Sequence, residues 1–329
     1  MENPLKNQVI IDGLQYCNWN RSMFEDALKG GLTAIHATLV YWENTQESFK
    51  KIEDWKKLIQ TNNDILCHAN NTKDIFKAKE ENKLAIIFGF QNSAPIANDI
   101  FLIEKFFLEG LRFMQLTYNN QTALAGGCFE KNDSGISRFG NEVIKEMNRL
   151  GMVIDLSHAG KKTCLDAIDL SSKPVAISHA NPIFFHNSKR NIDDEVLIKL
   201  SDKGGFIGLS LYPYHLKDNS DCKLEEFCEM IKKLIDMIGL EHIGIGSDLC
   251  INWDDNVVMW MRNGKWTKEI DYGESVSKNT SWPKQPSWFQ KGSDIINIFY
   301  GLKKIGINED DIFKILGMNW INFMKKNFG

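Results

Sequence analysis

Two short apolar segments that both end in Ser-His constrain the fold of this chain more than any other feature. They are Met152-Val-Ile-Asp-Leu-Ser-His158 and Val175-Ala-Ile-Ser-His179. The stretch between them, Ala159 to Ser172, has the length of one helix and is closed by Lys173-Pro174. The pattern predicts a strand–helix–strand unit with a histidine at the carboxyl end of each strand. In a parallel α/β barrel these ends open onto one face, where two imidazoles could hold one metal ion.

The rest of the chain contains further segments of the same apolar, strand-like kind. Most are nearly continuous apolar runs, as expected for parallel strands that are buried on both faces. With the two Ser-His segments there are eight: Val9–Gly13, Thr33–Val40, Leu84–Phe90, Arg112–Tyr118, Met152–His158, Pro174–His179, Phe206–Tyr212 and His242–Asp248.

Helical patterns alternate with these strands. The clearest are Thr45–Gln60, Arg138–Leu150 and Leu224–Ile238, and two more helices, Ser293–Ile305 and Asp310–Lys326, close the chain. The alternation predicts a single (β/α)8 TIM barrel over residues 1–329 with C-terminal helices. Residues 249–290 have little periodicity and follow the last strand, so we expect an irregular loop over the active face.

Composition excludes several classes of partner. The chain has a net charge of -4 and no stripe of basic residues, which argues against nucleic acid as a partner. The sequence has no apolar run of membrane-spanning length and no signal-like start, which predicts a cytoplasmic protein without membrane attachment. The seven cysteines are odd in number and lack metal-site spacing, so we expect reduced and mostly buried thiols. The sequence leaves homo-oligomerisation open.

Polar and aromatic residues follow the predicted strand ends. His158 and His179 are candidate metal ligands, and the alternative is that both are core histidines bonded to carbonyl groups. Asp248 could be a ligand, a base or an anchor for a substrate amine, or only cap the next loop. Arg190 could bind a substrate carboxylate through two hydrogen bonds or form a surface salt bridge.

The remaining histidines are weaker candidates for the site. His36 is expected inside the barrel, and His68 and His242 are expected to be structural. His186 and His215 lie on polar loops and are expected to be solvated, although either could reach the pocket.

The chain resembles the renal (membrane) dipeptidase family of metallopeptidases. The resemblance rests on Asp155-Leu-Ser-His158, Ile177-Ser-His179, Arg190-Asn-Ile-Asp193, the strand that ends at Asp248, and Ile315-Leu-Gly-Met-Asn319. It implies an amidohydrolase-type barrel that binds two zinc ions and cleaves dipeptides. It also implies that His158 and His179 ligate metal, that Arg190 binds the substrate carboxylate, and that Asp248 receives the substrate amine.

Three ligand positions of that family carry other residues in this chain. Leu14 and Tyr16 replace a His-x-Asp pair after the first strand, and Gln91 replaces a bridging Glu. Tyr118, next to Asn119, stands at the position of a histidine that contacts the substrate carbonyl. Leu cannot ligate a metal and neutral Gln is a poor bridging ligand, so at most one zinc ion is expected, held by His158 and His179.

Three functions remain open at this stage. The first is a metal-dependent hydrolase of dipeptides or dipeptide-like amides, with Asp248 or Tyr118 as catalytic group and Arg190, Asp248, Tyr118 and Asn119 around the substrate. The second is a catalytically altered or inactive relative that binds small peptides or amino-acid derivatives. The third is a metal-free reaction that uses Tyr16, Tyr118 and a thiol, either Cys17 or Cys128, although packing or loop thiols are the better explanation of these cysteines.

Overall fold

The computed structural model describes residues 3–263 and 281–329. Its centre is a barrel of parallel strands with the order β1-β2-β4-β5-β6-β7-β8-β9, and β3 pairs with the first half of β4 outside this path. The strands are β1 Ile11–Gln15, β2 Ala34–Val40, β3 Leu66–His68, β4 Leu84–Phe90, β5 Leu111–Gln115, β6 Val153–Asp155, β7 Ala176–Ala180, β8 Phe206–Leu209 and β9 Ile243–Ile245. The predicted (β/α)8 barrel is therefore confirmed.

The barrel closes where the segment that follows β9 meets β1. The Asp248 amide donates to the Leu14 carbonyl, and the Tyr16 amide donates to the Leu249 carbonyl, each at 2.9 Å. Asp248 has a φ of 54°, a left-handed conformation that few residues other than glycine adopt. The closure therefore brings the two ends of the barrel sequence, residues 14–16 and 247–249, to the same point of the mouth.

Helices surround the strands in the order that the periodicity predicts. They are α1 Arg21–Gly30, α2 Thr45–Thr61, α3 Thr72–Glu80, α4 Phe101–Leu108, α5 Arg138–Leu150, α6 Lys161–Leu170, α7 Asp194–Asp202, α8 Leu224–Ile238, α9 Asp255–Asn263, α10 Ile295–Lys304, α11 Glu309–Phe313 and α12 Asn319–Asn327, with a π-helical turn at Lys314–Met318 before α12. The helices begin at side-chain caps where the sequence provides them, as Asn44 does for α2.

Among the elements that differ from the sequence predictions are one strand, one strand end and one loop segment. Strand β3 is only three residues long, too short for its pattern to be recognised as a strand. Strand β6 ends at Asp155, so His158 lies on the loop after the strand rather than in it. The segment 249–290, predicted to be irregular, contains helix α9, and its residues 264–280 lie outside the described residues.

The amino-terminal end of the barrel is filled by the indole of Trp320 from α12. This side chain is fully buried and its Nε1 donates to the Ile245 carbonyl at 2.8 Å. A Cβ atom placed on Gly13 or Gly208 would lie 2.0 or 2.9 Å from the ring. Glycine is required there because only a bare Cα leaves room for the indole.

In the described part of the chain, no helix is long and apolar enough to cross a membrane. Whether the chain forms one domain over its whole length stays a prediction.

Candidate active site

The side chains of His158 and His179 meet at the carboxyl end of the barrel. Their Nε2 atoms are 3.1 Å apart, and their exposed fractions are 2% and 0%. His179 lies in β7 and His158 three residues beyond β6, so two neighbouring strands bring the imidazoles together. The sequence predicted this proximity from equivalent strand ends.

The Nδ1 partners fix which nitrogen of each ring carries the proton. His158 Nδ1 is 2.6 Å from Asn119 Oδ1, an oxygen that can only accept, so this nitrogen donates. The Ser178 hydroxyl donates to Asp155 Oδ2 at 2.5 Å and therefore accepts from His179 Nδ1, at 2.8 Å. Both Nε2 lone pairs consequently point into the same small space.

This arrangement fits one metal ion. Burial, and then the charge of Arg190, lower the pKa of both imidazoles well below the usual value, so both rings are neutral as ligation requires. Two imidazole nitrogens that share a tetrahedral zinc at its usual bond length lie about 3.3 Å apart. Metal-binding histidines also donate their second ring N–H to a fixed acceptor, as both do here.

Gln91 adds an oxygen to this space. Its Oε1 is 3.1 Å from His158 Nε2, while its Nε2 donates to Thr38 Oγ1 at 2.8 Å and to the Tyr41 hydroxyl at 3.1 Å. In the described residues, no three side chains of His, Cys, Asp or Glu gather as a metal site. The donor set at the imidazole pair is therefore two nitrogens and one neutral amide oxygen.

Asp155 supports the histidine side of the mouth from beneath. Its carboxylate accepts from the hydroxyls and backbone amides of both Ser157 and Ser178, and from Gln115 Nε2 at 3.0 Å. These bonds tie β6 to β7. The serines of the two Ser-His segments thus hold the strand ends at the spacing that the imidazoles need.

Arg190 lies directly beside the imidazoles. Its exposed fraction is 1%, its Nη1 donates to the Ser157 carbonyl, and its Nη2 is 3.2 Å from His158 Nε2. The surface salt bridge that the sequence left open is not formed within the described ranges, where Arg190 pairs with no carboxylate. A buried guanidinium without a counter-ion favours an anionic ligand, because an uncompensated buried charge is costly.

The opposite side of the mouth is aromatic. Leu14 is fully buried, and the Tyr16 ring stacks on Trp253 at 4.7 Å and meets the edge of Tyr41 at 4.6 Å. Burial raises the pKa of the Tyr16 phenol far above its usual range. Leu14 and Tyr16 therefore supply walls where the related enzymes are expected to have metal ligands.

The other predicted residues lie at the same mouth. The Tyr118 ring stacks on His158 at 4.2 Å, and Asp248 is 7% exposed at the β1–β9 closure. Asn119, predicted to contact substrate, accepts a hydrogen bond from His158 Nδ1 at its Oδ1. These roles toward a substrate stay predictions.

One sequence prediction about the remaining side chains is wrong. His215 is not solvated: it is fully buried, its Nδ1 is 2.8 Å from Ser210 Oγ, and its Nε2 has no hydrogen-bond partner among the residues that the structure describes. A polar loop sequence could not reveal this, because the turn at Pro213–His215 folds under neighbouring loops.

Burial raises the pKa of the Cys17 thiol far above its usual range, which makes Cys17 a poor nucleophile. Cys128 is partly buried, with Sγ 3.8 Å from Asn119 Oδ1.

The fold and sequence are similar to known hydrolases. An amidohydrolase from Pseudomonas aeruginosa superposes with a TM-score of 0.92 at 34% identity, over 99% of this chain and 98% of that one. A metallopeptidase from Rhodobacter sphaeroides, liganded with a phosphinate mimic of the dipeptide L-Ala-D-Ala, matches with a TM-score of 0.80 at 15% identity, over 97% and 99% of the two chains. At that identity the likeness shows the fold alone.

Curated relatives carry the name dipeptidase. An uncharacterized dipeptidase of Schizosaccharomyces pombe is 31% identical over 210 residues, which are 62% of this chain and 50% of that protein. Dipeptidase tcpJ of Claviceps purpurea is 25% identical over 290 residues, 87% of this chain and 61% of that protein. The chain therefore spans only about half to three-fifths of the length of these relatives.

The family model described as membrane dipeptidase (peptidase family M19) matches residues 18–254. This range contains both Ser-His segments, Gln91, Arg190 and Asp248. The chain belongs to the membrane dipeptidase family, M19.

Proposed function

We propose that this protein hydrolyses dipeptides, or amides that resemble them, with one zinc ion held by His158 and His179. The observation that carries the proposal is the pair of buried Nε2 lone pairs, 3.1 Å apart and each oriented through Nδ1. When bound, a single zinc ion acidifies a water molecule and polarises a carbonyl group.

The protein's own groups would bind the two ends of the substrate. Arg190 is the proposed site for the carboxylate, because its guanidinium is buried beside the imidazoles. Asp248 is the proposed site for the substrate amine and, with Tyr118, a candidate for moving protons during the reaction. The aromatic walls exclude water and strengthen each of these electrostatic contacts.

A second function is favoured by the replaced ligand positions. Leu14, Tyr16 and Gln91 remove the three groups that would hold another ion, and only neutral side chains stand in their place. A protein that binds dipeptides or amino-acid derivatives without cleaving them would still need Arg190 and Asp248. We therefore propose peptide binding without turnover as the alternative.

One experiment separates the two functions. The protein is purified without chelator, its metal content is measured, and hydrolysis of a broad dipeptide panel is assayed with and without added zinc. Binding of the same dipeptides is followed by calorimetry. Zinc-stimulated turnover supports the hydrolase. Binding without metal and without turnover contradicts it and supports the alternative.

Blocked substrates refine the test. N-acetyl dipeptides lack the free amine and dipeptide amides lack the carboxylate. If Asp248 binds the amine and Arg190 binds the carboxylate, the acetyl group weakens binding through Asp248 and the amide weakens it through Arg190. Equal binding of blocked and free dipeptides would contradict both assignments.

A further inference from the structure

The hydroxyl group of Tyr41 contacts Gln91, the side chain that also approaches His158, and it has no role in the function proposed above. Tyr41 follows β2 and has an exposed fraction of 1%. Its hydroxyl oxygen accepts from Gln91 Nε2 at 3.1 Å, and the same amide places Oε1 3.1 Å from His158 Nε2. The Gln91 amide group thus lies between the phenol and the space that the two Nε2 lone pairs share.

The direction of these hydrogen bonds determines where the Tyr41 proton can go. Gln91 directs its oxygen to His158 and its nitrogen to Thr38 and Tyr41. Because the Tyr41 oxygen is the acceptor in this bond, its own O–H remains to be donated elsewhere. In the described parts of the chain, Gln91 is the partner that the structure provides for this hydroxyl.

The surroundings of Tyr41 are apolar rings. Tyr16, Tyr118 and Trp260 meet its ring edge to face at centroid distances of 4.6, 5.1 and 6.0 Å. Burial raises the pKa of the phenol well above its usual value, so the proton stays on the oxygen. A hydrogen bond donated in such a dry site is stronger than the same bond in water.

We propose that Tyr41 is a further catalytic residue, whose hydroxyl donates a hydrogen bond to the scissile carbonyl oxygen as that oxygen becomes negatively charged. The inference rests on the proposed hydrolase function. Tyr41 transfers no proton: the O–H bond stays intact, and the developing charge is stabilised by a preorganised donor. In this chain, Leu14, Tyr16 and Gln91 replace the residues that would hold a second cation. The Tyr41 hydroxyl thereby supplies part of the stabilisation that this cation would give.

The test is Tyr41→Phe in the zinc-loaded protein, compared with wild type and with Tyr300→Phe. Tyr300 lies on α10 with 46% of its surface exposed, so this control loses a phenol hydroxyl far from the mouth. We expect kcat of Tyr41→Phe to fall by about 10²- to 10³-fold with KM nearly unchanged, as for the loss of one donor to an oxyanion. Affinity for a phosphinate dipeptide mimic, measured by calorimetry, should fall by a similar factor. Affinity for zinc, measured by competition with a chromophoric chelator, should stay the same.

The outcomes separate this inference from the proposed function. An active wild type with an unchanged kcat in Tyr41→Phe overturns the inference and leaves the function standing. A parallel loss of zinc affinity also overturns it, because Tyr41 would then act only by holding Gln91.

A wild type without turnover contradicts the function, and the phosphinate affinities then decide about Tyr41. At least about a tenfold loss in the variant supports the donor role, since a hydrogen bond to a charged group contributes that much. Equal affinities overturn it, and so does a wild type that binds no phosphinate at all.

Discussion

Two buried carboxylates stand under opposite sides of the barrel mouth. Asp155 accepts from the hydroxyl and amide of Ser178, and from Gln115 Nε2 at 3.0 Å. Asp12 accepts from the hydroxyl and amide of Ser247, and from Gln15 Nε2 at 2.7 Å. Each carboxylate therefore ties one strand end to its neighbour through the same three kinds of donor.

The residues above these carboxylates differ. Ser178 is followed by His179 and its Nε2 lone pair. Asp12 lies beside Leu14, which has no donor atom for a metal, and close to Tyr16, where burial raises the pKa of the phenol and keeps it protonated. The two supports share three kinds of donor, whereas the residues above them differ in chemistry. The comparison indicates that the site differs from the two-metal pattern that the family resemblance implies by a few side chains, on strand ends that are held in a similar way.

The largest effect is expected on the histidine side. His179→Ala removes one of two imidazoles, so a single remaining nitrogen cannot retain zinc, and both zinc binding and hydrolysis should fall to background. Metal analysis and dipeptide hydrolysis test this. His242→Gln is the control, because His242 lies just before β9, at the other end of the barrel, where its Nδ1 contacts the carbonyl of Gly205 just before β8. Full activity of the His179 variant would contradict the assignment.

The aromatic side of the barrel mouth can be changed so that it carries the metal ligands that the family resemblance implies. The triple variant Leu14→His, Tyr16→Asp and Gln91→Glu supplies the pair after β1, where Asp12 supports the strand end, and the bridging acid after β4. We expect it to bind a second zinc ion, measured as metal per protein after dialysis. Leu14→His alone is the control and should not. If the triple variant folds and binds no additional zinc, the two supports are not equivalent.

Loss of Arg190 should affect one end of the substrate. In Arg190→Ala, the KM for free dipeptides should rise by about 10- to 100-fold, because a hydrogen bond to a charged group contributes roughly 1.5–3 kcal/mol. The KM for the corresponding dipeptide amides should change little. Steady-state kinetics on both substrates measures the contrast, and an equal rise for both would contradict a specific carboxylate contact.

The support at Asp12 should make stability depend on pH. Burial raises the Asp12 pKa from 3.8 to about 6, so the folded protein binds this proton more tightly than the unfolded chain. The contribution to stability is complete below about pH 4 and is lost as the pH rises through about 6, a change on the order of 3 kcal/mol at 1.36 kcal/mol per pKa unit.

Asp12→Asn removes this titration, so the difference between wild type and variant in the free energy of unfolding should change by that amount over the same interval. Urea unfolding at a series of pH values measures it. Asp310→Asn, at an exposed position of α11, is the control for general charge effects. A difference that stays constant with pH would show that Asp12 does not titrate in this way.

The smallest effect is expected at helix α9. Trp42 Nε1 donates to the Met261 carbonyl at 3.0 Å and so attaches this helix to the mouth. Trp42→Phe keeps a ring but loses the bond, which is worth about 0.5–1.5 kcal/mol. We expect KM to rise only a few-fold, with kcat and zinc content unchanged. A large loss of activity would mean that α9 takes part in the reaction itself.

The sequence predicted the barrel because buried parallel strands and amphipathic helices leave clear periodic patterns. It also predicted that His158 and His179 meet, since the ends of adjacent parallel strands must share one face. It could not predict the burial of His215 or the contact between Tyr41 and Gln91, because both depend on residues that are distant in the chain. Strand β3 and helix α9 were missed because both are short, so their own residues give only a weak periodic pattern.

The indole of Trp320 has a consequence for biosynthesis. All eight barrel strands precede it in the chain, so during translation they leave the ribosome before the side chain that fills the barrel's floor. Until α12 is in place, the space beside Gly13 and Gly208 lacks the indole ring that fills it in the folded protein. We therefore expect a nascent chain to reach its final packing only when α12 has been made.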